Sequence, residues 1–418
     1  MDAKEIRTGR VEGVVSLPGS KSYTNRALLV AALADGESQL ANPLWADDTQ
    51  YMTSALRALG FAIEWGQECV RVRGLAGRIP AARAELYLGD AGTVIRLLTA
   101  AVCLGRGQFK LDGSQRLRER PIGELVACLR ALGARVFSRG GCPPVLVEAA
   151  GLRGGRATML GSISSQFFSA VLLAAPYSQQ GVAIEVEDVL VSAPYVAMTL
   201  DIIQRFGVEV HNEQFRSFGV RAPQCYKALE YEIEPDASSA TYFLAAAAIT
   251  GGTVRIRGID LESKQPDIQF ARTLQSMGAH LATGQGWVEI RGGSLRGIEV
   301  DMNPMPDAVQ TLAVTSLFAE GTTRIRNVAN LKLKESDRIH DTATELRRLG
   351  ASVEELPDGL IITPGNPQPA AIDPHNDHRM AMSFALAGLR IPGLRILNPG
   401  CVSKSLPDFF ERLEALTR

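Results

Sequence analysis

Eight cations stand at or just beyond the openings of six similar helices: Lys21, Arg26, Arg96, Arg120, Lys334, Arg338, Arg379 and Lys404. Few acids accompany them, yet two carboxylates, Asp307 and Glu335, lie in the same stretches. The chain as a whole carries a net charge of −1, so this positive charge is a local concentration and not a global field. A helix N-terminus presents free backbone N–H groups and the positive end of its dipole, which favours anions. Cations gathered at such ends, with two carboxylates among them, suit a site for two small polyanions and an acid/base pair for proton transfer.

The individual openings differ. LPGSKSYTNR, residues 17–26, offers two hydroxyls, the Lys21 ammonium and backbone N–H groups, with Ser22 and Arg26 one helical turn apart on one side. The GxxxxGK[ST] spacing of a P-loop is absent. GDAGTVIR supplies Gly89 and Gly92, where a ligand can approach the backbone closely. In RLRERPIG, Pro121 holds Arg120 extended, and an arginine there suits bidentate binding of carboxylate or phosphate. GSISSQF places Ser164, Ser165 and Gln166 together at a helix start, three polar donors where capping needs fewer. The second half adds Asp307 in MNPMPDAVQ, then Asn330, Lys334, Glu335 and Arg338 in NLKLKESDR. His378 and Arg379 follow in HNDHRMAM, and Lys404 in SKSLPDFF. Each of these alone is satisfied by a cap or a solvated helix face; their concentration at one recurrent position favours a ligand site.

The elements that must position these residues repeat. A polar opening, an Ala/Leu-rich helix, a glycine and a β-branched strand recur six times, the closing glycines being Gly36, Gly107, Gly181, Gly252, Gly321 and Gly393. A second helix ending before a strand keeps the same beat at Gly60, Gly133, Gly207, Gly278 and Gly350. The period near 70 residues exceeds that of a solenoid, so each unit is a small α/β module. The sixth copy lacks its last strands, and EIRTGRVEGVVSLPG at the other end is expected to complete it. The predicted fold is α/β, with two similar domains of three βαβαββ-type units each, helices inside and sheets outside, an inside-out α/β barrel. Residues 20–233 form the continuous domain, and residues 1–19 with 234–418 the discontinuous one, with the active site in the cleft between them.

Composition narrows the class. A hydrophobic content of 46% and a charged content of 21% are those of an ordinary soluble globular protein. The six cysteines show no CxxC spacing, and no apolar run approaches a membrane span, which together point to the cytoplasm. With aromatics at 6% and charge near zero, a nucleic-acid-binding role lacks its basic face and stacking platform.

LPGSKSxxNRALL, GDAGTxxR, RxRPIGEL, GSxSSQF, VSxPYV, DASSATYFLAAAA, PDA, KESDRI, NDHRMAM and SKSLPDFF, in this order along the whole chain, resemble the 5-enolpyruvylshikimate-3-phosphate synthase family. The resemblance implies a transferase that moves the enolpyruvyl (carboxyvinyl) group of phosphoenolpyruvate to the 5-hydroxyl of shikimate 3-phosphate, on the route to chorismate. Phosphate is released through a tetrahedral ketal. It further implies two domains that close on the substrates, no metal or organic cofactor, and a monomer acting on small molecules, without nucleic acid or membrane. Carried over by position, Lys21, Ser22, Arg26, Ser164, Ser165, Gln166, Ser192, Asp307, Asn330 and Lys334 match shikimate 3-phosphate contacts. Lys21, Gly92, Arg120, Gln166, Arg338, Arg379 and Lys404 match phosphoenolpyruvate contacts. Asp307 matches the acceptor of the hydroxyl proton, Glu335 the group that protonates the methylene carbon, and Lys21 is the third catalytic residue. Three positions depart from the common pattern: Asp90 where Asn is usual, Leu97 where many members have Pro at a helix start, and Ala193 where some have Lys. Leu97 is expected to lower sensitivity to glyphosate, the family's inhibitor at the phosphoenolpyruvate site. The sibling transferase acting on UDP-N-acetylglucosamine usually carries a catalytic Cys on a mobile loop. The stretch GRGQFKLDGSQRLRERPIG contains none.

Overall fold

A computed structural model describes residues 2–418. The chain divides into two compact units, one formed by Gly19–Glu234 and the other by the segment ending at Pro18 together with Pro235–Arg418. Each has its own hydrophobic core.

One plan recurs in both. Its clearest copy in the continuous unit starts with strand Arg83–Tyr87, helix Gly92–Val102 and strand Arg106–Asp112, the two strands pairing in parallel. Helix Gly123–Ala131 then leads to Arg135–Arg139 and Cys142–Ala150, which complete an antiparallel β-β end. Parallel neighbours need a crossover and a helix supplies it; antiparallel neighbours need only a turn. Among the described residues five sheets have four strands in this order, and the sixth has three. The mixed α/β class and the repeated βαβαββ order are thus present.

Burial follows composition. Helix Lys21–Leu33 is buried from Tyr23 to its end, and helix Ala237–Thr250 is buried along nearly its whole length. Helices that are apolar all round must be enclosed on all sides. The strands alternate: in Cys69–Leu75, Val70 and Val72 are buried while Arg71 and Arg73 face solvent, the pattern of a sheet covered on one face.

The N-terminal strands divide between two sheets, which corrects the expectation that both complete the sixth copy. Ala3–Glu5 does so, antiparallel to Arg395–Leu397. Glu12–Ser16 instead pairs in parallel with Thr253–Arg257 of the fourth copy. The slot there is shaped for it, because Gly252 lies so close to the Val11 carbonyl that a side chain would not fit. The first copy takes its leading strand, Glu230–Glu232, from just before the return crossover, parallel to Asp35–Ala41. At each crossover, therefore, a strand closes the unit it is leaving while the chain runs on into the other. Among the described residues no helix is long and apolar enough to cross a membrane.

Candidate active site

In the continuous unit the helix openings carry two groupings of the predicted residues. The first surrounds Gly92 and Gln166. Arg96 Nη1 donates to Gln166 Oε1 at 2.7 Å and Nη2 to the Pro121 carbonyl at 3.2 Å, while its guanidinium lies over the Phe167 ring. Gln166 Nε2 donates to Thr93 Oγ1 at 3.1 Å, which fixes the orientation of its amide. Arg120, 4% exposed, donates to the Asp90 backbone carbonyl at 3.3 Å. Its guanidinium lies against Gly92, where an added Cβ would sit 2.6 Å from it. The Asp90 carboxylate accepts from Ser114 Oγ at 3.3 Å.

The second grouping surrounds Arg26, which is 1% exposed. Its N–H groups reach Thr199 Oγ1, the Ser22 carbonyl, Ser169 Oγ and the Tyr195 carbonyl, at 2.8 to 3.4 Å. All four acceptors are neutral. Burial accordingly lowers its pKa to about 10. Lys21, one residue inside the Ser20 cap, lies 3.2 Å from Asp48. Ser164 caps helix Ser165–Ala174 by accepting from the Gln166 N–H, and Ser165 is buried behind it. Ser192 opens helix Ala193–Arg205 at φ 54°, ψ 38°. That left-handed conformation is uncommon away from glycine and clusters at functional sites.

The other unit brings its predicted residues into one network. Arg338, 1% exposed, donates to Asp307 Oδ1 at 3.0 Å and to Glu335 Oε2 at 3.0 Å. It also holds Asp377 through two bonds, of 2.7 and 3.1 Å. Arg379 Nη2 donates to Asp307 Oδ2 at 2.8 Å, and Lys404 Nζ stands 3.7 Å from Glu335. Burial raises the Asp307 pKa, but Arg379, Lys334 and Arg338 outweigh it and hold the carboxyl well below the usual carboxylate range. For Arg338 burial works against the charge, yet Asp377, Glu335 and Asp307 keep its pKa well above the ordinary guanidinium value. Asn330 is buried within a 3-10 turn, Ala329–Leu333, that ends at Lys334.

Asp377 was missed from the sequence. It is fully buried, caps helix His378–Gly388 by accepting from the Arg379 N–H, and anchors Arg338. Its place in front of a helix gave the available signal, but that signal reads as capping. Leu97 does not stand at a helix start. It is the sixth residue of helix Gly92–Val102 and is buried, because the helix begins at Gly92 itself. Among the described residues no group of three or more His, Cys, Asp or Glu side chains is placed to hold a metal ion.

A family model described as EPSP synthase (3-phosphoshikimate 1-carboxyvinyltransferase) matches residues 6–413. A 3-phosphoshikimate 1-carboxyvinyltransferase of Hamiltonella defensa subsp. Acyrthosiphon pisum is 47% identical over 98% of this chain and 97% of its own length. One from Aliivibrio salmonicida is 48% identical over the same shares. The solved EPSP synthase of Acinetobacter baumannii superposes with a TM-score of 0.83 at 26% identity, covering 99% of this chain and 98% of that one.

Proposed function

The chain belongs to the EPSP synthase family, the 3-phosphoshikimate 1-carboxyvinyltransferases, and from that premise we propose how its own residues perform the transfer. The activity is enolpyruvyl transfer in the shikimate pathway of aromatic amino-acid biosynthesis, with phosphoenolpyruvate and shikimate 3-phosphate as substrates. The observation that carries the residue assignment is the Arg338 network, in which the two carboxylates needed for proton transfer are both held by cations.

In this proposal Arg338, Arg379 and Lys404, with Lys21, Gly92, Arg120 and Gln166, bind phosphoenolpyruvate. Lys21, Ser22, Arg26, Ser164, Ser165, Gln166, Ser192, Asp307, Asn330 and Lys334 bind shikimate 3-phosphate. The incoming carboxylate and phosphate compete for the guanidinium groups that neutralise Asp307 and Glu335 in the free protein. As those cations turn to the substrate, both carboxylates lose counter-charge and gain proton affinity. Glu335 then gives a proton to the methylene carbon, and the 5-hydroxyl adds to the neighbouring carbon as Asp307 takes its proton. The ketal expels phosphate as its new methyl group returns a proton to Glu335, which reforms the carbon–carbon double bond. The fixed cations stabilise the charge at each stage. The burial pattern supports reading each unit as three repeats with helices inside and sheets outside. The six cysteines, all unpaired, fit a cytoplasmic setting, and we take the working form to be a monomer.

Mixing the protein with phosphoenolpyruvate and shikimate 3-phosphate should release inorganic phosphate. Release with UDP-N-acetylglucosamine in place of shikimate 3-phosphate, and none with the latter, would overturn the assignment. Gly92→Ala should raise KM for phosphoenolpyruvate about tenfold, because the new methyl displaces the Arg120 guanidinium, a charge-assisted donor. Its folding should change little, since the displaced atoms end a flexible side chain; an unchanged KM would remove Arg120 from the site. Leu97 lies one turn beyond Thr93, the residue that orients Gln166. A proline there removes a helix N–H and shifts the preceding turn. Leu97→Pro should therefore increase inhibition by glyphosate, and equal inhibition of the two proteins would sink that idea.

A further inference from the structure

Arg26 is a buried cation that, among the described residues, is bonded to no carboxylate, and three of its four hydrogen-bond partners come from two helices far along the chain. Thr199 Oγ1 accepts from Arg26 Nε at 2.8 Å and stands 2.8 Å from Ser169 Oγ and 3.1 Å from the Tyr195 carbonyl. Ser169 in turn accepts from Arg26 Nη2 at 3.4 Å. Thr199 and Ser169 are both fully buried, on helices Ala193–Arg205 and Ser165–Ala174. A hydroxyl within a helix commonly turns back on its own backbone. Here Thr199 reaches its own helix at Tyr195, but it also faces outward to a guanidinium and to a second hydroxyl.

These contacts use four of the five guanidinium N–H groups and leave one, on Nη1. A carboxylate in the same place would satisfy the charge and extinguish its pull on a ligand. Neutral hydroxyls satisfy the geometry and leave the charge intact. We propose that Thr199 and Ser169 are positioning residues that hold Arg26 in one orientation, uncompensated, for the anionic substrate. Their effect is confined to binding of shikimate 3-phosphate, and it rests on the assignment of Arg26 to that substrate.

The test compares Thr199→Val, Thr199→Ser, Ser169→Ala and Arg26→Lys in the full chain. It measures shikimate 3-phosphate binding by calorimetry without the second substrate, KM for both substrates, and Tm. Thr199→Val should weaken shikimate 3-phosphate binding on the order of tenfold, the worth of one hydrogen bond to a charged group. KM for phosphoenolpyruvate should stay within about twofold on the same reasoning. Thr199→Ser should restore binding, and Ser169→Ala should fall between. Added to Arg26→Lys, Thr199→Val should cost little more, since the two act as a unit. If Arg26→Lys weakens binding while Thr199→Val and Ser169→Ala leave it unchanged, the positioning role is wrong and the assignment of Arg26 stands. If Arg26→Lys itself leaves binding unchanged, the assignment fails first. A Thr199→Val protein that loses Tm and raises both KM values equally would reduce the hydroxyl to a structural role.

Discussion

Asp307→Asn is expected to lower kcat by about two to four orders of magnitude, the range for a positioned acid or base, with a smaller change in KM for shikimate 3-phosphate. Asparagine keeps the shape and one acceptor for Arg338 or Arg379, but it cannot take a proton. A carboxyl held far below its usual range is a weak base, and in the free protein Asp307 is such a group. Its usefulness as a base therefore depends on a substrate anion taking its place on the N–H groups of Arg379 and Arg338. The same substitution should change the acid limb of stability. A carboxylate with a depressed folded pKa contributes stability above its unfolded value of about 3.9, lost as pH falls through and below that value. The Asn variant should be less stable near neutrality and lose less on acidification. Full turnover in Asp307→Asn would remove it from the chemistry, whatever its structural worth.

The repeat was legible because its signals are local. A glycine at positive φ follows the second helix of each copy that has one, at Gly60, Gly133, Gly207, Gly278 and Gly350, and strands alternate between buried and exposed residues, so both announce themselves within a short window. The cations at the helix openings were legible for the same reason. Partner choice was not. EGVVS reads as a strand, but nothing in it says that Glu12–Ser16 joins Thr253–Arg257, and Glu230–Glu232, which joins Asp35–Ala41, is too short to mark itself as a strand at all. Parallel pairing is non-local, so the residues of a strand do not name its partner. Thr199 and Ser169 were invisible for a related reason, since a hydroxyl in an apolar helix has no sequence mark for the arginine it meets. Asp377 was masked by a correct but incomplete reading, because the residue that caps a helix also grips Arg338 with both oxygens. Leu97 was displaced by importing a helix start from the family pattern, whereas here the Gly92 opening sets it.

The two anchors of Arg338 differ in kind. Asp377 is fully buried and binds the guanidinium through two bonds, whereas Asp307 keeps about a fifth of its side chain exposed. Removing water strengthens and fixes a paired contact, so Asp377 sets where Arg338 sits. Asp307 and, to a smaller degree, Glu335 at 9% exposure are more open than Asp377, and there an incoming anion can take their place. The network thus has a permanent half and an exchangeable half, and the residues assigned to chemistry fall in the second.

Glu335→Gln tests that division most directly, and kcat should drop about a hundredfold or more while both KM values move only modestly. Glutamine can still accept from Arg338 Nη2, so the guanidinium, anchored independently by Asp377, should stay in place. It cannot deliver a proton to carbon. The loss should appear in the step that protonates the methylene group, so exchange of solvent deuterium into phosphoenolpyruvate should fall in parallel with turnover. In Asp307→Asn the two can separate, because hydroxyl activation follows a different proton. Should deuterium exchange persist in Glu335→Gln at the wild-type rate, the proton donor is another group and Glu335 only tunes the charge of Arg338 and Lys404. Loss of both substrate affinities instead would mean that Glu335, rather than Asp377, fixes the guanidinium, and the exchangeable half would have been assigned to the wrong carboxylate.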